Sequence, residues 1–210
     1  MLSSIAFATA EGIDLSASRL ISLGSQEIAD IQFAPYYTDM SANSCAVIRR
    51  NDSSNSLKAL IGFAKGSSYA TYFTDKVFAD VNILTSGANL KEQSIDTGVV
   101  DFSVAEVVGN NSTSSPTRRI TVIYSTSNAV KKAVLDCSTT GTTASSIGVS
   151  MTTTSLMSGT SSAANNFAQL NASTTFFSIG SALYKTDGNT VAEVPIAFDS
   201  TIKSIAVNFS

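Results

Sequence analysis

Histidine is missing from this chain altogether, and so is tryptophan. Without histidine no Ser-His-Asp or Cys-His arrangement can be built, which removes the commonest nucleophilic hydrolases. Zinc and haem sites lose their usual ligand, and no Cys-x-x-Cys replaces it. The two cysteines, Cys45 and Cys137, are too few for a disulfide framework. They read either as one bridge or as two buried thiols behaving like small apolar side chains. No Gly-x-Gly-x-x-Gly, P-loop or Gly-x-Ser-x-Gly motif occurs, so nucleotide-binding loops and the nucleophile elbow are absent as well.

Charge is the next scarcity. Charged residues make up 14% of the chain, where about 25% is average. The net charge of −3 offers no basic excess of the kind nucleic-acid binders carry. The basic doublets Arg49-Arg50, Arg118-Arg119 and Lys131-Lys132 read as solvated strand ends, with a phosphate contact inside an assembly as the alternative. The acids are scattered, and spacing picks out no carboxylate pair for glycoside cleavage; Asp96 and Asp101 merely flank a strand start. Asp187-Gly188-Asn189 looks like the opening of a calcium loop but lacks the Glu of an EF-hand, and reads as a hairpin turn. No catalytic, cofactor-binding or metal-ligating residue is therefore expected.

The scarcity of charge is also concentrated. From Cys137 to Tyr184 there is no Asp, Glu, Lys or Arg. This is not a membrane helix, because Ser, Thr, Gly and Asn interrupt it every few residues. It is polar and uncharged, a combination suited to a protein interface, whose core is depleted in charge. The N-terminal stretch has no basic n-region and too short an apolar run for a signal peptide, so the chain is expected to start as mature protein.

What is abundant is Ser and Thr, together more than a quarter of the residues, beside an ordinary 43% of hydrophobic ones. Thr, Val, Ile, Phe and Tyr favour strands; Ser, Gly and Asn favour turns; the typical helix formers are scarce. The expected fold is all-β: an antiparallel β-sandwich or a jelly-roll or barrel-like arrangement, with at most one or two short helices. About a dozen strands at sandwich-like spacing are readable. Residues 1–210 are expected to form a single β-rich domain whose end segments pair with neighbouring subunits.

Along the chain, Ser3 to Leu23 predicts one or two strands, with a short helix over Ser16 to Leu23 as competitor. Gln26 to Phe33 is ambiguous, and Pro35 breaks it. Strands are expected at Cys45–Ile48, at Leu57 to Phe63, at Tyr69–Thr74 and at Lys76–Leu84, with turns at residues 51–55 and 86–89. Val100, Phe102, Val104 and Val108 share one face of a strand, and residues 109–116 form a polar surface loop. Ile120, Val122 and Tyr124 make the next apolar face, Ala129 to Leu135 another strand, and Ile147, Val149 and Met151 alternate. Ser162 to Leu170 is read as a short helix, Thr175 to Tyr184 as one strand. Two closing strands follow the Asp187-Gly188 turn, one carrying Ala192, Val194, Ile196 and Phe198, the other Ile205, Val207 and Phe209; Pro195 marks an edge or a bulge.

Three functions fit. The leading one is a non-enzymatic structural subunit of a large assembly, a virion coat or tail component or a surface filament. Its partners would be copies of itself, with strand exchange between subunits, and it would reside in a virion or at a cell surface. Small-molecule substrates, nucleic acid and membrane are not expected partners. The second is a carbohydrate-binding, adhesin-like sandwich, for which Tyr36-Tyr37 is the one candidate aromatic platform. The third is a pore-forming β protein using Ala144 to Leu156, although the alternation there is broken at Thr152 to Thr154. Five Asn-x-Ser/Thr sequons, at Asn51, Asn110, Asn111, Asn171 and Asn208, match what chance gives in so Ser/Thr-rich a chain.

Overall fold

The computed structural model describes residues 28–33, 43–50, 53–63, 91–110, 117–140, 144–171 and 173–207. These residues are all-β, with three antiparallel four-stranded sheets and no closed barrel. The first sheet is a meander of β1 (Ile28–Phe33), β2 (Asn43–Arg50), β3 (Leu57–Phe63) and β4 (Lys91–Asp96). The second is a meander of β5 (Asp101–Asn110), β6 (Thr117–Thr126), β7 (Ala129–Thr139) and β8 (Ile147–Ser158). The third runs in the order β12 (Val191–Glu193), β11 (Ala182–Thr186), β10 (Thr174–Ile179) and β9 (Asn165–Asn171). The one helical feature among the described residues is a 3-10 turn, Ala144–Ser146.

Alternation explains how the sheets stack. In a strand, successive side chains point to opposite faces. On one face of the middle sheet, Phe102, Val104, Ile120, Val122, Tyr124, Ala133, Leu135, Cys137 and Ile147 join Val47, Leu57, Ala59 and Ile61 of the first sheet in one buried core. On the other face Ala105, Ile123 and Val130 join Ala164, Phe177 and Ile179 in a second. The middle sheet is thus covered on both sides. Phe177 anchors the second core, stacked between Phe167 at 5.2 Å and Tyr184 at 5.5 Å. Offset aromatic pairs of this kind add about 0.5–1.5 kcal/mol each beyond the area they bury.

Polar turn residues place the strands. Asn55 takes a left-handed φ of 45° in the β2–β3 connection, where the carbonyls of Ser54 and Asn55 accept the N–H groups of Gly98 and Val99. Ser127-Asn128 closes a two-residue hairpin between β6 and β7, with Thr126 opposite Ala129.

Several expectations are corrected. Ser162 to Leu170 is not a helix: β9 occupies most of it, Asn166 has a φ of 59° that no helix accepts, and Phe167 is drawn to Phe177. Thr175 to Tyr184 is not one strand but the hairpin β10–β11, turned at Gly180, whose φ of 60° suits glycine. The Asp187-Gly188 turn is a four-residue loop, because Thr186 pairs with Val191. The Asp187 carboxylate accepts the N–H groups of Asn189 and Thr190 at 2.8 and 2.7 Å, and these local bonds hold the wider loop. The two closing strands reduce to β12; residues 194–207 form no strand. Pro195 has no N–H to continue a ladder, and a tight turn in which Ile196 N–H meets the Val194 carbonyl at 2.7 Å follows. One strand, β4, carried no readable signal: in Lys-Glu-Gln-Ser-Ile-Asp only Ile95 is buried. The expected features at residues 3–23, Pro35 to Tyr37, Tyr69 to Leu84, 86–89, most of the 109–116 loop and Phe209 lie outside the described residues.

Candidate self-association surface

Every open sheet has two edge strands whose outward N–H and C=O groups lack a ladder partner. Five of the six edges among the described residues carry a recognisable protection. β4 is charged at Lys91, Glu92 and Asp96, and Lys58 of β3 pairs with Glu92. β1 carries Asp30 and loses register between Ile28 and Asp30. β9 is irregular twice in its pairing with β10. β12 has Glu193, is three residues long and is followed by Pro195.

The β5 edge is closed by side chains. Gln32 of β1 donates from Nε2 to the Phe102 carbonyl at 2.8 Å and accepts the Val104 N–H on Oε1 at 3.0 Å. One amide thereby imitates the next strand across Phe102 and Val104. Beside it Asp101 accepts the Phe167 N–H at 3.3 Å, tying β9 to the same edge.

The sixth edge, β8, has none of these devices over residues 147–155; its one register irregularity lies near its end, opposite Val130 and Lys131. It is twelve residues long and free of charge and proline. Among the described residues its single strand partner is β7. At its start Ile147 and Val149 pack on the first core; at its end Leu156 and Met157 pack on the second. The crossover follows a register irregularity opposite Val130 and Lys131. Between these anchors, residues 150–155 are exposed, and Met151 is 37% accessible. Of the alternating residues Ile147, Val149 and Met151, Met151 is on the surface, whereas Ile147 is buried in the first core and Val149 is partly buried against it.

Sequence reading missed two contributors. Ile196 and Phe198 look like the buried face of a strand, yet they are 53% and 42% accessible. With Met151 they are the exposed large hydrophobics among the described residues.

The ionisable side chains that come together do structural work. Asp96 accepts the Tyr124 hydroxyl at 3.0 Å and the Lys131 ammonium at 2.9 Å. Burial alone would push the Asp96 carboxyl up, but Lys131, the Thr97 N–H and the Tyr124 hydroxyl together hold it below its ordinary value. Burial first, and then the Asp96 carboxylate, push the Tyr124 hydroxyl well above its usual range. An acid locked in its charged form and a phenol locked in its neutral form cannot exchange a proton near neutrality. Asp101, on β5 of the second sheet, is occupied with the backbone N–H groups of Phe102 and of Phe167 on β9.

The doublets are divided by strand alternation. Arg119 pairs with its cross-strand partner Asp136 at 2.7 Å, Lys131 with Asp96, and Lys132 reaches Asn189 at 3.1 Å. Cys137 is a free thiol, buried in the first core, and burial pushes it up to about 12, so it is an inert apolar side chain rather than a nucleophile. Among the described residues no group of His, Cys, Asp and Glu could hold a metal ion, and no helix is long and apolar enough to cross a membrane.

No protein-family model, curated protein or solved structure matches the chain.

Proposed function

We propose that this protein is a non-enzymatic structural subunit that self-associates through charge-poor β surfaces, as a coat or tail component of a virion or as a surface filament. The observation that carries the reading is the β8 edge. An edge of this length would normally be blunted by lysine, proline or a bulge, because it otherwise templates further strands. Among the described residues no strand pairs with the outer side of β8, whose residues 150–155 are exposed, while the β5 edge of the same sheet is closed by Gln32. A charge-free surface also carries no ion to desolvate when it is covered. Among the described residues, the engagement of Asp96, Tyr124 and Lys131 with one another supports a non-enzymatic role.

The test is the mass and shape of the native particle, by multi-angle light scattering and negative-stain microscopy. Rings, tubes, shells or fibres are the expected result. A 21.8 kDa monomer at high concentration would overturn the proposal.

A further inference from the structure

The β5 edge is where the three sheets meet. Gln32 of β1 reaches it from the first sheet, and Phe167 of β9 is tied to it from the third. Along a strand, every second residue turns both its N–H and its C=O to the same side. On β5 the outward residues are Phe102 and Val104, and three of their main-chain groups in succession are taken by side chains. The Phe102 N–H donates to the Asp101 carboxylate at 2.8 Å, the Phe102 carbonyl accepts Gln32 Nε2 at 2.8 Å, and the Val104 N–H donates to Gln32 Oε1 at 3.0 Å. Just beyond, the register with β6 shifts between Val104 and Glu106, so the regular run of the edge ends where the Gln32 contact ends.

The two groups that Gln32 holds have a symmetry of their own. Two antiparallel strands that face each other across a non-hydrogen-bonded pair exchange the carbonyl before it and the N–H after it. If that pair is Ser103 against Ser103 of a second copy, the Phe102 carbonyl of each chain meets the Val104 N–H of the other. The pair is therefore self-complementary about a two-fold axis through Ser103, the isologous arrangement of closed dimers. Gln32 offers its amide N–H where a second copy would offer Val104, and its amide oxygen where a second copy would offer Phe102.

We propose that Gln32 is an autoinhibitory contact. From within the chain it competes with the β5 strand of a second copy for the Phe102 carbonyl and the Val104 N–H, and so keeps this edge from closing a two-fold dimer. The proposal goes beyond the self-association reading above and does not need it, because an edge can be locked whether or not the chain assembles elsewhere.

The side chain wins this competition because it is tethered. Gln32 lies opposite Val47 in the β1–β2 ladder, between Ile31 opposite Ile48 and Phe33 opposite Ala46, so its backbone is held in place. An intramolecular group acts at a high effective concentration. A second copy must instead give up its translational and rotational freedom. Asp101 strengthens the lock by occupying the neighbouring Phe102 N–H while its other oxygen accepts Phe167 N–H at 3.3 Å.

The test uses the full chain with two variants. Gln32→Leu keeps the size of the side chain and loses both hydrogen bonds. Gln32→Glu still accepts the Val104 N–H but turns a second acceptor toward the Phe102 carbonyl. Circular dichroism melts check that each folds. Amide exchange at Val104 is then followed against protein concentration, beside the mass from light scattering. In the parent, exchange should be slow and independent of concentration. In the Leu variant it should be at least about tenfold faster in dilute solution. It should slow again as concentration rises, while the particle reaches twice the parent's mass at the same concentration. The Glu variant should fall between the two. Slow exchange at Val104 in both variants would overturn the lock. Fast exchange at every concentration with an unchanged mass would overturn the competition with a second copy and leave Gln32 a structural tie. Should the Leu variant not fold, the Glu variant decides by the same two readings. A monomeric parent whose Leu variant doubles in mass would overturn the structural-subunit reading and uphold this one.

Discussion

β7 and β8 lie side by side in one ladder, registered from Ala129 opposite Ser158 to Thr139 opposite Ile147. β7 carries Lys131, Lys132 and Asp136, and it is the buried strand. β8 carries no charge at all, and it is the exposed one. Absence of charge is thus no measure of burial in this protein. β7 has a strand on each side and a sheet over each face, so its long charged side chains run out to partners at the margins. The Lys131 ammonium ends on Asp96 and the Asp136 carboxylate on Arg119. Among the described residues β8 has a strand on one side only, and its residues 150–155 are exposed. Its serines and threonines tolerate water and the loss of water alike, which suits a surface that is covered only on assembly.

The sharpest way to break this comparison is at one cross-strand pair. Leu135 and Met151 are opposite each other, one fully buried and one on the surface. Leu135→Ala should cost about 2–5 kcal/mol in chemical denaturation, because it leaves a cavity between two sheets. Met151→Ala should stay within about 0.5 kcal/mol, with its effect confined to assembly. Equal costs at the two positions would mean that β8 is as much core as β7.

A smaller effect is expected at the link between the first two sheets. Tyr124→Phe removes the hydroxyl bonded to Asp96 and should lower stability by about 1–2 kcal/mol. The pH dependence has a definite sign. Asp96 titrates lower in the folded chain than its ordinary 3.8, so its contribution is present above about pH 4 and is lost as pH falls through the lowered value. Asp96→Asn should therefore flatten the acid side of a plot of Tm against pH. Tyr124 titrates above its ordinary 10.0, so its contribution is complete below pH 10 and is lost as pH rises beyond it. Tyr124→Phe should flatten the alkaline side. A mutant whose acid or alkaline limb is superimposable on the parent's would remove the corresponding group from the account.

The smallest effect should come from Arg119, whose bridge to Asp136 has both side chains more than half exposed, at 56% and 53%. Arg119→Ala should change stability by no more than about 0.5 kcal/mol and lose even that at high salt. A larger, salt-resistant loss would show that charge on β7 does more than occupy the margin.

Much of the β framework was legible in the residues, and the reasons are local. The alternation of Leu57, Ala59 and Ile61, and of Ile120, Val122 and Tyr124, predicts buried faces, and all six are buried. β4 was invisible because an edge strand with one buried side chain leaves almost no hydrophobic period. The helix expected over residues 162–170 failed because its apolar spacing fits either period, and stacking of Phe167 on Phe177 decided for a strand. Of the candidate surface, the charge-free stretch and Met151 were readable. The contact of Gln32 with the β5 edge could not be foreseen, because a contact across seventy residues leaves no local pattern.

The closing segment shows where the two kinds of information part. Composition and period by themselves determined an all-β chain with little charge, no histidine chemistry and a long uncharged stretch, since these follow from side-chain identity and a two-residue repeat. They assigned Val194, Ile196 and Phe198 to a strand for the same reason. Only the tertiary structure decided which strands were central, which edge was sealed and which segment was left without a partner. Pairing depends on which backbone groups meet across the whole fold, and in this chain the pattern of one strand is satisfied by no neighbour among the described residues.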